Sequence, residues 1–132
     1  MRVVIDSNVW ISALVFGGNP RQIFDKAVRD GWTIVVSEEI FTEVRRTLAK
    51  KFTAYVSELD NLRLILGARI FTASLGSIHV RVSRDEDDNR VIETAVIGGA
   101  SCIISGDKDL LILENYRGIE ILSPGAFLEQ VV

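Results

Sequence analysis

The sequence predicts an α/β domain: a mainly parallel sheet with helices on both faces. Three observations carry that prediction. Short apolar runs rich in β-branched residues occur at Val3–Ile5, Trp32–Val36 and Ser101–Ser105. Runs this short, each leading into a helical pattern, read as strands buried on both faces of a parallel sheet. Strands then alternate with helices along the whole chain, which implies crossover connections and a three-layer α/β/α architecture.

The elements follow in order. Val3-Val4-Ile5 is the first strand and stops abruptly at Asp6. Asn8–Leu14 is a first helix, capped by Ser7 or Asn8. Gly17-Gly18-Asn19-Pro20 is a turn, with Pro20 suited to the first position of the next helix. Arg21–Asp30 carries Ile23, Phe24, Ala27 and Val28 at helical spacing and ends at Gly31. Trp32–Val36 is the second strand. Ser37 caps a helix that opens on Glu38 and Glu39 and runs to about Lys51 through Ile40, Val44 and Leu48. Ala54–Ala73 has helical spacing at Leu59, Leu62, Ile65, Leu66 and Ile70 and reads as one or two helices, broken near Gly67. Ile78–Val82 alternates apolar and polar side chains and reads as a shorter, more exposed strand. The acidic run Asp85-Glu86-Asp87-Asp88 opens a helix through Val91, Ile92 and Ala95 that ends at Gly98-Gly99. Ser101–Ser105 is a strand, Leu110–Leu113 a helical turn, Ile119–Leu122 the last strand, and Pro124 starts a C-terminal helix.

Composition bounds the function. The 132 residues suffice for one domain, 1–132, with a real core. Hydrophobic residues at 48 % and charged residues at 25 % are ordinary for a globular protein and argue against disorder. The apolar runs are too short to span a bilayer, and Asp6 interrupts any N-terminal signal-like segment. Cys102 is the only cysteine, which excludes an internal disulfide and a cysteine-based zinc site and fits a reducing, cytoplasmic setting. The net charge of -3 argues against a passive nucleic-acid coat but not against an enzyme whose acidic pocket holds cations.

Four carboxylates from distant parts of the chain can converge. Asp6 and Asp107 each follow a buried strand, so both fall on the C-terminal edge of the sheet, where α/β proteins place their ligands. Asp88 precedes Ile92 by four residues and Ala95 by seven, so it shares their sheet-facing side at the start of its helix. Glu43 flanks the apolar face of its own helix, three residues after Ile40. Each acid taken alone has an ordinary structural role. An Asp after a strand makes a turn or a cap, and an acidic run suits a helix start. Together and without cations they would repel one another and raise their pKa values. Divalent metal relieves that repulsion, and an oxygen-only donor set suits Mg²⁺ or Mn²⁺.

These segments resemble a known family. Val3-Val4-Ile5-Asp6-Ser7-Asn8-Val9, the strand–Ser37–helix unit with Glu43, Arg84-Asp85-Glu86-Asp87-Asp88-Asn89 and Ile104-Ser105-Gly106-Asp107-Lys108-Asp109-Leu110-Leu111 are similar, in order and spacing, to the motifs of PIN-domain ribonucleases. The likeness is to the single-domain proteins described as toxins of toxin–antitoxin pairs. It implies a five-stranded sheet of order 3-2-1-4-5, frequent homodimers and an antitoxin partner. It implies metal-dependent hydrolysis of RNA, with one or two Mg²⁺ or Mn²⁺ ions held by Asp6, Glu43, Asp88 and Asp107. It puts the family's accessory acid on Asp109, and Asn8, Ser105 and Asp109 would orient the water, the phosphate or the ligands. The family pattern has one acid before the third-motif helix; this chain offers Asp85, Asp87 and Asp88, and the helical phase favours Asp88.

Other candidates carry less. His79 has no partner for general acid–base work in its expected strand. Ser7 and Ser105 have no His partner for a hydrolase triad. Gly17-Gly18 is followed by Asn-Pro and is no phosphate-binding loop. Arg45, Arg46, Lys50 and Lys51 decorate the helix after Glu43; such a set is commonly a solvated face, and beside this site it would hold RNA phosphates. Two other classes stay open: a metal-dependent phosphatase with Asp6 as nucleophile, and a catalytically silent PIN-like module that binds nucleic acid or protein.

Overall fold

The computed structural model describes residues 1–131. Its centre is a sheet of buried parallel strands. Strand β1 is Arg2–Ile5, β2 is Thr33–Val36, β3 is Ile70–Thr72, β4 is Cys102–Ile104, β5 is Asn115–Tyr116 and β6 is Ile119–Leu122. Their spatial order is β3-β2-β1-β4-β6-β5. The first five in that order are parallel, and they reproduce the expected 3-2-1-4-5 arrangement. The sixth, β5, is a two-residue antiparallel addition to β6. Its hairpin turns at Arg117 and Gly118, both at positive φ, the backbone that a two-residue turn between antiparallel strands requires. A strand of two residues has no hydrophobic period to read.

Val3, Val4 and Ile5 are all fully buried, as are Ile34, Val35 and Val36, so both faces of the central strands are covered. Helix α5, Glu86–Gly98, lies against β1, β2 and β4. It approaches so closely at its C-terminal end that a Cβ on Gly98 would overlap the Val35 side chain. Helices α2 (Gly18–Asp30) and α3 (Glu38–Lys51) both pack on α1 (Ser7–Val15), around Trp10. Its ring meets Phe24 and Phe41 at centroid distances of 4.6 and 5.4 Å, and its indole N–H donates to the Ile5 carbonyl. A buried indole thereby fills the core and satisfies its donor at the end of β1.

The structure corrects several boundaries. The cap of α1 is Asp6, whose carboxylate accepts the Ser7 amide, rather than Ser7 or Asn8. Helix α2 begins at Gly18, so Pro20 occupies its third position, where the amide is unpaired in any helix. The larger correction concerns the middle. After a 3₁₀ turn at Thr53–Tyr55 and helix α4, Val56–Leu66, the chain breaks at Gly67 as expected, but Ile70–Thr72 then adds to β2 as strand β3 instead of continuing a helix. The open edge of β2 offers partners for backbone groups there, and tertiary pairing overrides a short local pattern. The expected strand Ile78–Val82 joins no ladder and is irregular. Its alternation survives only as anchoring: Val80 is buried and His79 and Arg81 are exposed. Helix α6 is Lys108–Leu111, and α7 is Pro124–Gln130, capped by Ser123. Among the described residues no helix is long and apolar enough to cross a membrane.

Candidate metal centre

The site forms where β1 and β4 end side by side. Ile5 pairs with Ile104, so the next residues, Asp6 and Ser105, stand opposite each other just beyond the ladder. Asp6 is almost fully buried and held by three donors. Its Oδ1 accepts the Ser7 amide at 2.8 Å, and its Oδ2 accepts Asn8 Nδ2 at 2.9 Å and the Ser105 hydroxyl at 2.7 Å. Asn8 reaches back with Oδ1 to the Gly106 amide at 2.9 Å and ties the two strand ends together. Ser105 Oγ also accepts the Asp107 amide, and Asp107 caps α6 by accepting the Asp109 amide, both at 2.9 Å. Asp107 is thereby aimed at the same edge as Asp6.

Helix α5 supplies the remaining acids. Asp85 is its N-cap, accepting the Asp87 amide. Carboxylate oxygens of Asp85, Asp88 and Asp107 lie within 4.8 Å of one another. The three acids of the run thus have different surroundings. Asp88 is buried and joins the trio, as its helical phase predicts. Asp85 is exposed yet also joins it. Asp87 is exposed and lines, with Glu43, Arg46 and Arg90, a cavity of about 360 Å³ between α3 and α5.

The electrostatics follow from this crowding. The Asp88 carboxyl is pushed up to about 7 by burial, by the adjacent Asp107 carboxyl and by the charges of Asp85 and Asp6. Asp6 is raised by burial, which outweighs the hydrogen bonds from Ser105, Ser7 and Asn8. Glu43, half-buried on α3, is raised by burial and by the charges of Asp6, Asp87 and Asp85. The charge of Asp107 acts on both Asp6 and Asp88, and that of Asp6 acts on Asp88 and Glu43, while the close trio among the described residues is Asp85, Asp88 and Asp107. Asp109 stands apart: among the described residues its carboxylate is ion-paired with Arg84 at 3.4 Å on the surface and is not in the trio.

Of the basic set, Arg45 is drawn to Asp60 of α4 at 3.1 Å, Arg46 faces the cavity beside Glu43, and Lys50 and Lys51 are exposed in the last turn of α3. Sequence reasoning assigned nothing to Ser83 or Asn89. Ser83 Oγ donates to Asp88 Oδ2 at 3.2 Å, and the buried Asn89 side chain bonds both backbone groups of Ser83. The only signal for Asn89 was its place directly after the acidic run.

The residues fit a divalent cation. A trio of carboxylates within 4.8 Å, one of them raised to about 7 by burial and by its acidic neighbours, is an oxygen-only donor set lacking positive charge. Hard cations such as Mg²⁺ and Mn²⁺ take such donors.

Fold and site together define an α/β protein with a carboxylate cluster at the C-terminal edge of a parallel sheet. A family model described as the PIN domain matches residues 2–109, and the chain belongs to that family, whose members are generally nucleases. It is 32 % identical to an uncharacterized protein of Methanocaldococcus jannaschii, across 98 % of this chain and 91 % of that one. Its fold is similar to a chain in the crystal structure of VapBC2 from Rickettsia felis bound to a DNA fragment from their promoter. There the TM-score is 0.64 at 13 % identity, with 92 % of this chain and 97 % of the other covered.

Proposed function

We propose that the protein is a metal-dependent endoribonuclease that hydrolyses RNA phosphodiester bonds and serves as the toxin of a toxin–antitoxin pair. The observation that carries this reading is the carboxylate trio of Asp85, Asp88 and Asp107 within 4.8 Å, with Asp6 close enough to act electrostatically on Asp88 and on Glu43. Membership of a nuclease family and a fold like a VapBC2 chain support it.

Asp88 and Asp107, with Asp85 beside them, would hold Mg²⁺ or Mn²⁺, and Asp6 and Glu43 would complete the donor set. A bound ion supplies Lewis-acid chemistry, making water more acidic at neutral pH and offsetting charge on the phosphate. The chain supplies the positioning. Three donors fix Asp6 in one orientation, and Ser105 couples it to the backbone of Asp107. Glu43 presents an acceptor for the attacking water from the α3 side. Arg46, Lys50 and Lys51 attract phosphates from beyond Glu43, and Arg45 joins them at the expense of its pair with Asp60. Asp109 acts from the rim. Asn8 is engaged between Asp6 and Gly106, which weighs against the phosphatase reading, since that chemistry commonly has a second Asp there. The partners in this reading are RNA, an antitoxin protein and a second copy of the chain, in the cytoplasm.

The test is cleavage of single-stranded RNA and of matched DNA with Mn²⁺, with Mg²⁺ and with EDTA. Cleavage of RNA that EDTA abolishes is expected. Equal cleavage in EDTA, or none with either metal, would overturn the reading. Arrest of growth on expression, relieved by the product of the adjacent gene, tests the toxin assignment.

A further inference from the structure

We infer that Asn89 is a positioning residue that sets Asp85 and Asp88 of the acid cluster through Ser83, an inference that rests on the metal-binding reading above. Residues 73–85 join β3 to α5 without a strand or helix of their own. Asn89, fully buried in α5, grips this segment at one point. Its Oδ1 accepts the Ser83 amide and its Nδ2 donates to the Ser83 carbonyl, both at 2.9 Å. Two opposed bonds fix the orientation of Ser83 as well as its place. The Ser83 hydroxyl then donates to Asp88 Oδ2 and accepts the Asp85 amide, both at 3.2 Å. Two of the three crowded acids are thus set by one serine, which one buried carboxamide holds. An aspartate at position 89 would lack the donor for the Ser83 carbonyl, and an apolar residue would leave both backbone groups unpaired.

The same segment has a second clamp, which serves as an internal control. Glu93, one turn further along α5 and equally buried, accepts the Val80 amide at 2.8 Å and Arg90 Nη2 at 2.6 Å. It bonds to none of the acids. Both clamps stabilise the loop; only Asn89 leads, through Ser83, to the Asp88 carboxylate and the Asp85 backbone.

Mn²⁺ affinity, measured by titration calorimetry beside circular dichroism and thermal melting, separates the two roles. Asn89→Ala and Ser83→Ala are expected to weaken Mn²⁺ binding about 10- to 100-fold, the range typical of groups that orient metal ligands. Ser83→Thr, which keeps the hydroxyl, should recover most of the affinity. Glu93→Gln should lower the melting temperature and leave the affinity unchanged. Wild-type affinity in folded Asn89→Ala would overturn the inference. Should that variant not fold, Ser83→Ala decides alone, and wild-type affinity in it is equally fatal. Failure of the wild type itself to bind Mn²⁺ would instead remove the metal-binding reading, and this inference with it.

Discussion

The hydroxyl of Ser105 donates to Asp6 Oδ2 at 2.7 Å across 99 positions of sequence. The register of β1 on β4 places the two opposite each other, and the same oxygen of Ser105 receives the Asp107 amide. One serine therefore couples two proposed metal ligands. Its hydrogen bond is also the largest influence lowering the Asp6 pKa against the effect of burial. Ser105→Ala is expected to raise that pKa further and to weaken Mn²⁺ affinity about 10- to 100-fold. Calorimetric titration checks this, and an unchanged dissociation constant would count against the coupling.

Asp6→Asn should reduce RNA cleavage by about 100-fold or more while the fold persists, because it removes a negative ligand at nearly constant volume. Relief of repulsion within the cluster should leave the metal-free melting temperature the same or higher. A variant that keeps most of its activity would take Asp6 out of the mechanism.

The metal-free protein should become less stable as pH rises. The Asp88 carboxyl titrates near 7 in the folded protein against an ordinary 3.8, so between those values the folded state holds a proton that the unfolded chain has released. Its contribution is complete below 3.8 and is lost as pH rises through 7. The raised Asp6 and Glu43 act in the same direction. Mn²⁺ should reverse the loss, adding about 2.7 kcal/mol at a hundredfold excess over its dissociation constant. The added stability should be larger at pH 8 than at pH 5, since ligands must be deprotonated. Melting curves across pH with and without Mn²⁺ measure both effects, and a flat response to metal would contradict a carboxylate metal site.

Replacing Arg45, Arg46, Lys50 and Lys51 with Gln should weaken RNA binding and flatten its dependence on salt. The logarithmic slope should shrink by about 0.7 for each RNA phosphate that is no longer neutralised. Mn²⁺ affinity should hardly change. Arg45 should contribute least, because Asp60 already engages it. Removing that exposed pair should cost at most about 1 kcal/mol of stability. Superimposable salt plots for wild type and variant would reduce the basic strip to a solvated face.

Gly98→Ala should destabilise the fold by about 1–3 kcal/mol, since the new methyl group overlaps Val35 in a packed interior. Metal affinity of the folded fraction should remain. Chemical denaturation reads the first quantity and calorimetry the second; unchanged stability would mean that α5 can shift on the sheet.

Much of this was legible in the sequence for a local reason. Val3–Ile5, Ile34–Val36 and Ile103–Ile104 are buried on both faces, so their composition marks them as strands whatever their partners are. A polar residue that ends such a run, as Asp6 and Ser105 do, must sit at the sheet edge. The helical phase of Ile92 and Ala95 puts Asp88, and not Asp87, on the sheet-facing side, where Asp88 is buried. Tertiary structure alone decided what depends on a partner. Ile70–Thr72 became a strand by pairing with the edge of β2, and Ile78–Val82 pairs with no strand. Asp85 entered the trio, and Asn89 acquired its grip on Ser83, because the irregular segment 73–85 folds back over α5. Where a helix or buried strand sets side-chain direction, period reveals it; in a segment without a period, only the contacts that hold it can.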